Sequence, residues 1–228
     1  MDMTIKAINL YNDKLAGQYD KATLEGKWRA PGEVNKMMSQ FKLVKNNLTV
    51  LELGVGTGQS VKLFTDKNCK IYAVDISNEM LKAAKQKYKK IKTFKYDISD
   101  GLGELNFKRE SFNVVIAAGV LEFVRNIKTI IKDVHQLLKP NGHFAFTYEM
   151  LLPNHNFQKW KVQGNANGYI KNPPDIINFK LYRRSKKEIN EILKDVGYQV
   201  IKHFKISAFL KGPKKISVYY GVVLAIKK

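Results

Sequence analysis

Val50-Leu51-Glu52-Leu53-Gly54-Val55-Gly56-Thr57-Gly58 is the stretch that decides the fold of this 228-residue chain. Val50 to Leu53 reads as a buried strand. The three glycines read as a tight turn where backbone passes close to a ligand, and Gln59-Ser60-Val61-Lys62-Leu63-Phe64 as an opening helix. A strand, a glycine turn and a helix start make a nucleotide-type cradle. Glycine suits the turn because a Cβ would clash with the ligand or forbid a positive φ. The spacing then separates ligands. A dinucleotide fingerprint GxGxxG needs glycine three positions after Gly56, and Gln59 stands there. The pattern is instead Glu-x-Gly-x-Gly-x-Gly, from Glu52 to Gly58, which disfavours a nicotinamide dinucleotide.

Outward from this turn, strands and helices alternate. Strands are predicted at 48–53, 70–75, 92–96, 112–117 and 143–149, the last entered through Lys139-Pro140-Asn141-Gly142. Phe112-Asn113-Val114-Val115-Ile116-Ala117 is almost wholly apolar, as a central parallel strand requires. Ser77 can cap a helix carrying Met80, Leu81 and Ala84 on one face. Ile130, Ile131, Val134, Leu137 and Leu138 mark another helix. Such alternation argues for a doubly wound parallel sheet. Residues 150–181, with Pro153, Pro173 and Pro174 and the aromatics Phe157, Trp160, Tyr169 and Phe179, read as an irregular lid above the sheet. Ser185-Lys186-Lys187-Glu188 is a capping box opening a helix that ends at Gly197. Strands at about 199–209 and 216–226 follow, joined through Lys211-Gly212-Pro213-Lys214. Ahead of the first strand, Pro31 and then Val34, Met37, Met38 and Phe41 at helical spacing give an amphipathic helix, followed by a Lys45-Asn46-Asn47 linker. The expected organisation is a helical cover over 1–47 and a main domain over 48–228, with its lid at about 150–184.

Bulk properties limit the setting. No apolar run is long enough to cross a bilayer, and Met1-Asp2-Met3-Thr4-Ile5-Lys6 lacks a signal-peptide pattern. Cys69 is the single cysteine, so no intrachain disulfide forms, and a cytoplasmic location is the simple expectation. The net charge of +20 is compatible with nucleic acid, an acidic partner or a membrane surface. Nearly all of it is lysine, with arginine only at Arg29, Arg109, Arg125, Arg183 and Arg184. Heavy use of Lys, Asn and Ile also fits an A/T-rich genome, and this compositional reading is preferred to a polyanion-binding role.

In its motifs, their order and their strand-end positions, the chain resembles the class I S-adenosylmethionine (SAM) dependent methyltransferases, in their broad small-molecule branch. The resemblance covers about 48–228 and extends more weakly to the N-terminal helices. It implies a Rossmann-like, doubly wound, mostly parallel seven-stranded α/β sheet ending in an antiparallel hairpin. It also implies a cofactor site. Glu52 would lie near the methionyl amine, and Gly54, Gly56 and Gly58 would line the cofactor. Asp75 would accept both ribose hydroxyls, a task for a group that offers acceptors only. Ile76 and Met80 would sandwich the adenine; Asp97 would meet its amine and the Ile98 backbone its ring. Ala117, Ala118 and Gly119 match the segment passing the methionyl part, and Leu121-Glu122-Phe123-Val124 the place where relatives often carry substrate-facing side chains. Tyr11 to Asp20 resembles a repeated Tyr-Asp element; Tyr19 would close over the cofactor carboxylate, with Trp28 and Arg29 as further cover. Plainer readings exist for several of these. Asp75 also fits a helix-start acid, Asp97 a solvent-facing turn, and Ile76 and Met80 ordinary core.

The implied chemistry is in-line displacement at a sulfonium methyl, from SAM to an O or N nucleophile of a small molecule, leaving S-adenosylhomocysteine (SAH). A general base is optional for a neutral amine and more useful for a hydroxyl. His155 in the lid, with Tyr148 and Glu149 at the tip of the fifth strand, are the catalytic candidates. His135 and His143 read as structural and His203 as remote. Ala117-Ala118-Gly119 supplies no carboxylate for a catalytic metal, so none is expected. Asn172-Pro173-Pro174-Asp175 looks like the base-stacking segment of adenine-N6 enzymes but follows the wrong strand, and Cys69 lies away from the site a cytosine-C5 nucleophile would need. Tyr182-Arg183-Arg184-Ser185 and the Lys211–Lys215 turn should lie on the ligand face, and Lys85, Lys87, Lys89, Lys90 and Lys92 at the opposite end. The alternative is a methyltransferase-fold binding module, or an enzyme acting on RNA or protein through a basic top face.

Overall fold

The structure is a computed structural model that describes residues 8–9, 12–166 and 179–228. Its centre is a seven-stranded sheet. β1 (Thr49–Leu53), β2 (Lys70–Asp75), β3 (Lys92–Lys95), β4 (Phe112–Ala117) and β5 (Leu138–Glu149) run parallel. A separate hairpin of β6 (Val162–Ala166) and β7 (Phe179–Tyr182) follows, then β8 (Tyr198–Lys211) and β9 (Ile216–Lys227). The order is β3-β2-β1-β4-β5-β9-β8, with β9 antiparallel between β5 and β8. The chain first builds outward from β1 through β2 to β3, then returns to the other side of β1 with β4. That reversal leaves a crevice above the ends of β1 and β4, where ligands sit in open α/β sheets.

Strand alternation divides the core into two layers. Leu51, Leu53, Val115 and Ala117 face one side, with Ile127, Ile130, Ile131, Val134 and Leu137 of α4 (Ile127–Leu137) and Ile189 and Leu193 of α5 (Lys186–Val196). Val50, Val114 and Ile116 face the other. There they meet Val34, Met37 and Met38 of α2 (Ala30–Gln40) and Leu81 and Ala84 of α3 (Asn78–Lys87). Glu52 has the parity of Val50, so a carboxylate enters an apolar layer. α1 (Tyr19–Glu25) belongs to the N-terminal segment that caps the crevice.

Four local expectations change. Gln59 to Phe64 forms turns and a 3-10 segment, Val61–Phe64, rather than an α-helix. Gly54, Gly56 and Gly58 all have positive φ, so the chain is still turning where the helix was expected to begin. Lys139-Pro140-Asn141-Gly142 is an irregularity inside β5, with Asn141 at φ 61°, and the register shifts between Phe112 and Val114. The described part of 150–181 includes the β6–β7 hairpin, so this stretch is not wholly irregular; Tyr169 and Asn172 to Asp175 lie outside the described residues. Lys87 is not remote from the ligand end. Its ammonium bonds the Asp20 carboxylate and the Thr57 carbonyl of the glycine turn.

Ser185 accepts a hydrogen bond from the Glu188 amide at 3.1 Å, and Gly197 ends α5 in the left-handed conformation. Ser185→Ala should cost about 1 kcal/mol in urea unfolding, the usual value of such a cap, without changing ligand affinity; an unaltered midpoint would contradict the capping role.

Candidate active site

The crevice between β1 and β4 is a cavity of about 1330 Å³, open mouth included. Tyr19, Gly54, Gly56, Asp75, Ile76, Met80, Asp97, Ile98 and Ala118, all expected at the cofactor, line it. They come from the ends of β1, β2 and β4, from the turn after β3, and from the N-terminal segment. Asp75 is buried and anchored: Oδ2 accepts from the Gly56 amide at 2.8 Å and Oδ1 from the Ser77 amide at 2.9 Å. Each oxygen keeps lone pairs for a ligand. Burial raises its pKa to about 6, against the pull of those amides. Asp97 accepts from the Ser99 amide at 2.9 Å, which orients it at the start of a 3-10 turn. Gly56, at φ 51°, shows why the turn needs glycine. A Cβ there would meet nothing nearer than Tyr19 Cε1 at 3.9 Å and would project into open space.

Three expected residues are not brought to the cavity wall. Gly58 packs under Tyr88, where an added Cβ would come within 2.7 Å of the ring. The Arg29 side chain lies outside, bound to Glu33 at 2.5 Å and to the Ser207 carbonyl at 3.4 Å. Glu52 lies wholly buried beneath the glycine turn, with the Ser60 hydroxyl as the one side-chain donor recorded near its carboxyl among the described residues. Burial drives its pKa to about 8; the Ser60 hydroxyl opposes the shift and Asp75 adds to it.

The catalytic candidates also lie elsewhere. Tyr148 is buried, with its hydroxyl 2.9 Å from Nε2 of His203, whose Nδ1 meets Asn190 at 2.7 Å. Glu149 is paired with Arg183 at 2.6 Å. His155 stacks edge-on against Tyr219 and takes the Phe157 amide on Nδ1. No described residue of 150–184 lines the cavity. The described part of the lid is fastened to the C-terminal end of β5, and Leu181 of its hairpin packs in the cluster of Met80, Ile76 and Phe123 behind the cavity wall. Arg183 binds Glu149, the Trp160 carbonyl and Gln163, and Gln158 is bonded to Met150 and Tyr219. Arg184 holds the carbonyls of Leu121, Val124 and Arg125, and so sets the segment that follows β4.

Tyr19, Ala22 and Trp28 line the cavity from the N-terminal segment, where a helical cover is expected; what spacing did not show is how that segment is anchored. Asp20 accepts from the Thr57 hydroxyl at 2.5 Å and from Gln59 at 3.1 Å, besides Lys87, which ties α1 to the glycine turn. Asp13 accepts from the Ser77 hydroxyl at 2.6 Å. The Tyr-Asp element was the available signal, but its acids act on the turn rather than on a ligand. Trp28 closes over Gly119, with Phe209 and Tyr220 as ring neighbours at 5.9 and 5.2 Å. Glu122, from the substrate-facing stretch, is buried on the cavity wall. Its Oε1 accepts from the Tyr220 hydroxyl at 2.9 Å, and Oε2 has no partner among the described residues. Burial raises its pKa to about 7.

Comparison with known proteins agrees with this geometry. Residues 51–146 match a family profile described as "Methyltransferase domain". The uncharacterised protein MJ1252 of Methanocaldococcus jannaschii is 32% identical over 210 residues, covering 86% of this chain and 78% of that protein. Two crystal structures with bound SAH share the fold. The magnesium protoporphyrin IX methyltransferase of Synechocystis has a TM-score of 0.67 at 13% identity, over 99% of this chain and 100% of that one. The 1,6-didemethyltoxoflavin-N1-methyltransferase of Burkholderia thailandensis, which also holds 1,6-didemethyltoxoflavin, has a TM-score of 0.65 at 17% identity, over 98% and 89%. Among the described residues, no helix is long and apolar enough to cross a membrane.

The buried acids predict a pH effect on the ligand-free protein. Glu52 and Glu122 hold protons in the fold that the unfolded chain releases near its ordinary carboxylate range. The folded state therefore binds more protons, and stability falls as pH rises toward 8. The histidines shifted down by burial, His135, His143 and His203, act the other way, but below about 6.5. Tm should fall between pH 6.5 and 8 in wild type, and less in a Glu52→Gln, Glu122→Gln double variant. A wild-type Tm that rises across that window would refute the assignment.

Proposed function

We propose, for a chain that belongs to the class I SAM-dependent methyltransferase family, that this cavity binds SAM and an O or N nucleophile of a small molecule together. The observation that carries the reading is the convergence of Gly56, Asp75, Ile76, Asp97, Ile98 and Ala118 on one crevice. The residues present fit the cofactor. Glu52 is a buried carboxyl with no cation beside it among the described residues, and the glycine turn leaves the space a ligand's backbone contact needs. When bound, SAM supplies a sulfonium methyl and a neutral thioether leaving group.

The chain's own contribution is binding, alignment and exclusion of water. Asp75 accepts the ribose hydroxyls on the lone pairs its amide bonds leave free. Ile76 and Met80 flank the adenine, Asp97 accepts from its amine and the Ile98 N–H donates to its ring. Glu52 balances the methionyl ammonium from beneath the turn. Tyr19, carried by the Asp20-anchored cover, closes the cofactor end, while Trp28, Phe123 and Phe209 wall the acceptor end. Tyr148, Glu149 and His155 hold the lid and β5 in place. A cavity of this kind suits a small acceptor, as does the fold relative whose name and bound ligand specify one. Action on RNA draws less support, because the described lining contains no Lys, Arg or His.

Calorimetry with SAH tests the reading. Wild type should bind. Asp75→Ala should bind roughly 100-fold more weakly, since hydrogen bonds to a charged group are worth about 1.5–3 kcal/mol each. Arg29→Ala should stay within threefold of wild type. No wild-type binding, or equal binding by Asp75→Ala, would remove the proposal.

A further inference from the structure

The N-terminal cover stands on residues that would hold the cofactor. Ile8, Leu15 and Ala16 form a small buried cluster with Met80, joined by Tyr19, Ala22, Ile76 and Phe123. This cluster is separate from the two layers of the sheet core. Ile76 and Met80 flank the adenine in the reading above, so the apolar footing of the cover is part of the adenine site. With the cover in place, Asp75 is 6% exposed, Met80 1% and Ile98 7%. A ligand that touches all three lies beneath the cover, and its exchange with solvent requires the cover to move.

Little apolar contact holds that cover down. None of the seven residues of α1 is buried, and Leu24 is 80% exposed. Polar contacts hold it instead. Asp20 accepts from the Thr57 hydroxyl at 2.5 Å and from the Gln59 amide group at 3.1 Å, and pairs with the Lys87 ammonium. Gln59 also donates to the Thr23 hydroxyl at 3.0 Å, and Asp13 accepts from the Ser77 hydroxyl at 2.6 Å. Burial works against ionisation of Asp20, yet Lys87, Thr57 and Gln59 hold its carboxyl below the usual carboxylate range. The latch therefore carries its charge at neutral pH. Both its charged side chains are partly exposed, so dissolved salt screens them. A segment with few buried apolar contacts and solvent-reached polar ties opens at lower free energy than the core beneath it. The ties also end on the turns that carry the cofactor contacts. Thr57 follows Gly56, and Ser77 gives its amide to Asp75.

Resting on the methyltransferase reading, we propose that the N-terminal cover opens as a unit to admit SAM and release SAH, and that Asp20 is a positioning residue whose latch to Thr57, Gln59 and Lys87 sets how fast the cofactor leaves. Closure brings Tyr19 and Leu15 down on the bound adenosine and joins the cover to both turns. Opening breaks the polar ties first, because they carry most of the hold. Release of SAH then has a salt dependence that originates in one ion pair, Asp20 with Lys87.

Two measurements test this. The first is dissociation of labelled SAH from the full chain, chased with unlabelled SAH. Asp20→Asn keeps the shape of the side chain and removes its charge; it should release SAH roughly fivefold faster or more, as befits loss of charge-assisted hydrogen bonds. Glu25→Gln, an exposed acid on the same helix, should match wild type. Wild-type release should quicken as NaCl rises from about 0.05 to 0.5 M, and Asp20→Asn should lose most of that response. The second is amide hydrogen exchange of the ligand-free protein. Residues 19–25 should exchange together and faster than β1 and β4, faster still in Asp20→Asn, and slower with SAH bound. If Asp20→Asn fails to fold, Lys87→Gln takes its place with the same expectations. Release within twofold of wild type, an undiminished salt response in the variant, or residues 19–25 as protected as β1 and β4 would each overturn the proposal while leaving SAH binding intact. Failure of wild type to bind SAH would instead overturn the methyltransferase reading on which it rests, so the two failures are distinguishable.

Discussion

The pairing of β1 with both β2 and β4 is the constraint on which the rest depends. Both neighbours run parallel to β1, but the connections leave it in opposite directions across the sheet. The segments after β1, β2 and β4 therefore cannot close over one another, and a crevice opens where they separate. Every wall residue supplied by the sheet inherits its position from that separation. Val50, Leu51 and Leu53 stay buried so that Gly54 and Gly56 can emerge at the crevice floor. Asp75 then reaches back to hold the Gly56 amide, which makes the turn and the acid one unit.

The crevice becomes an enclosed site through polar contacts at its rim. Asp20 and Asp13 fasten the N-terminal segment to the glycine turn and to the start of α3. Arg184 gathers three carbonyls of the segment after β4, and so sets Glu122 against Tyr220. Arg183 and Glu149 form a buried pair that draws the hairpin toward the end of β5. Such a pair adds little net stability, because desolvation offsets its attraction. Losing one member would leave a buried charge. Its consequence here is placement: Arg183 holds the described part of the lid at the end of β5, and Arg184 fixes the post-β4 segment.

Three buried carboxyls, at positions 52, 75 and 122, lie within a protein whose exposed charge is strongly positive. Burial raises all three pKa values. In the ligand-free fold they are a cost, and a ligand that brings donors or positive charge relieves it. The same feature weakens the empty protein toward pH 8. The lysines at the surface take no part in the described cavity lining.

Much of the site was legible in one dimension, because the groups concerned lie at the ends of strands whose apolar runs are plain. Gly54, Gly56, Asp75, Ile76, Asp97, Ile98 and Ala118 each stand at or just past such an end, and a parallel sheet brings those ends to one edge. The capping residues Ser77 and Ser185 were legible for a similarly local reason, since a cap acts within three residues. Side-chain direction was not. Tyr148 and Glu149 stand at the correct strand tip, but their partners, His203 and Arg183, arrive from 55 and 34 residues away and turn them from the cavity. Arg29 likewise sits beside Trp28 in sequence yet points to Glu33 and Ser207. The sequence by itself determined the strand positions, the glycine turn and the strand-end acids, because these follow from local periodicity and backbone sterics, while the order of the strands was only what the family resemblance implied. Only the tertiary structure decided which side chains meet the crevice and which turn away to partners such as Arg183 and His203, because those directions depend on long-range polar contacts that spacing does not encode.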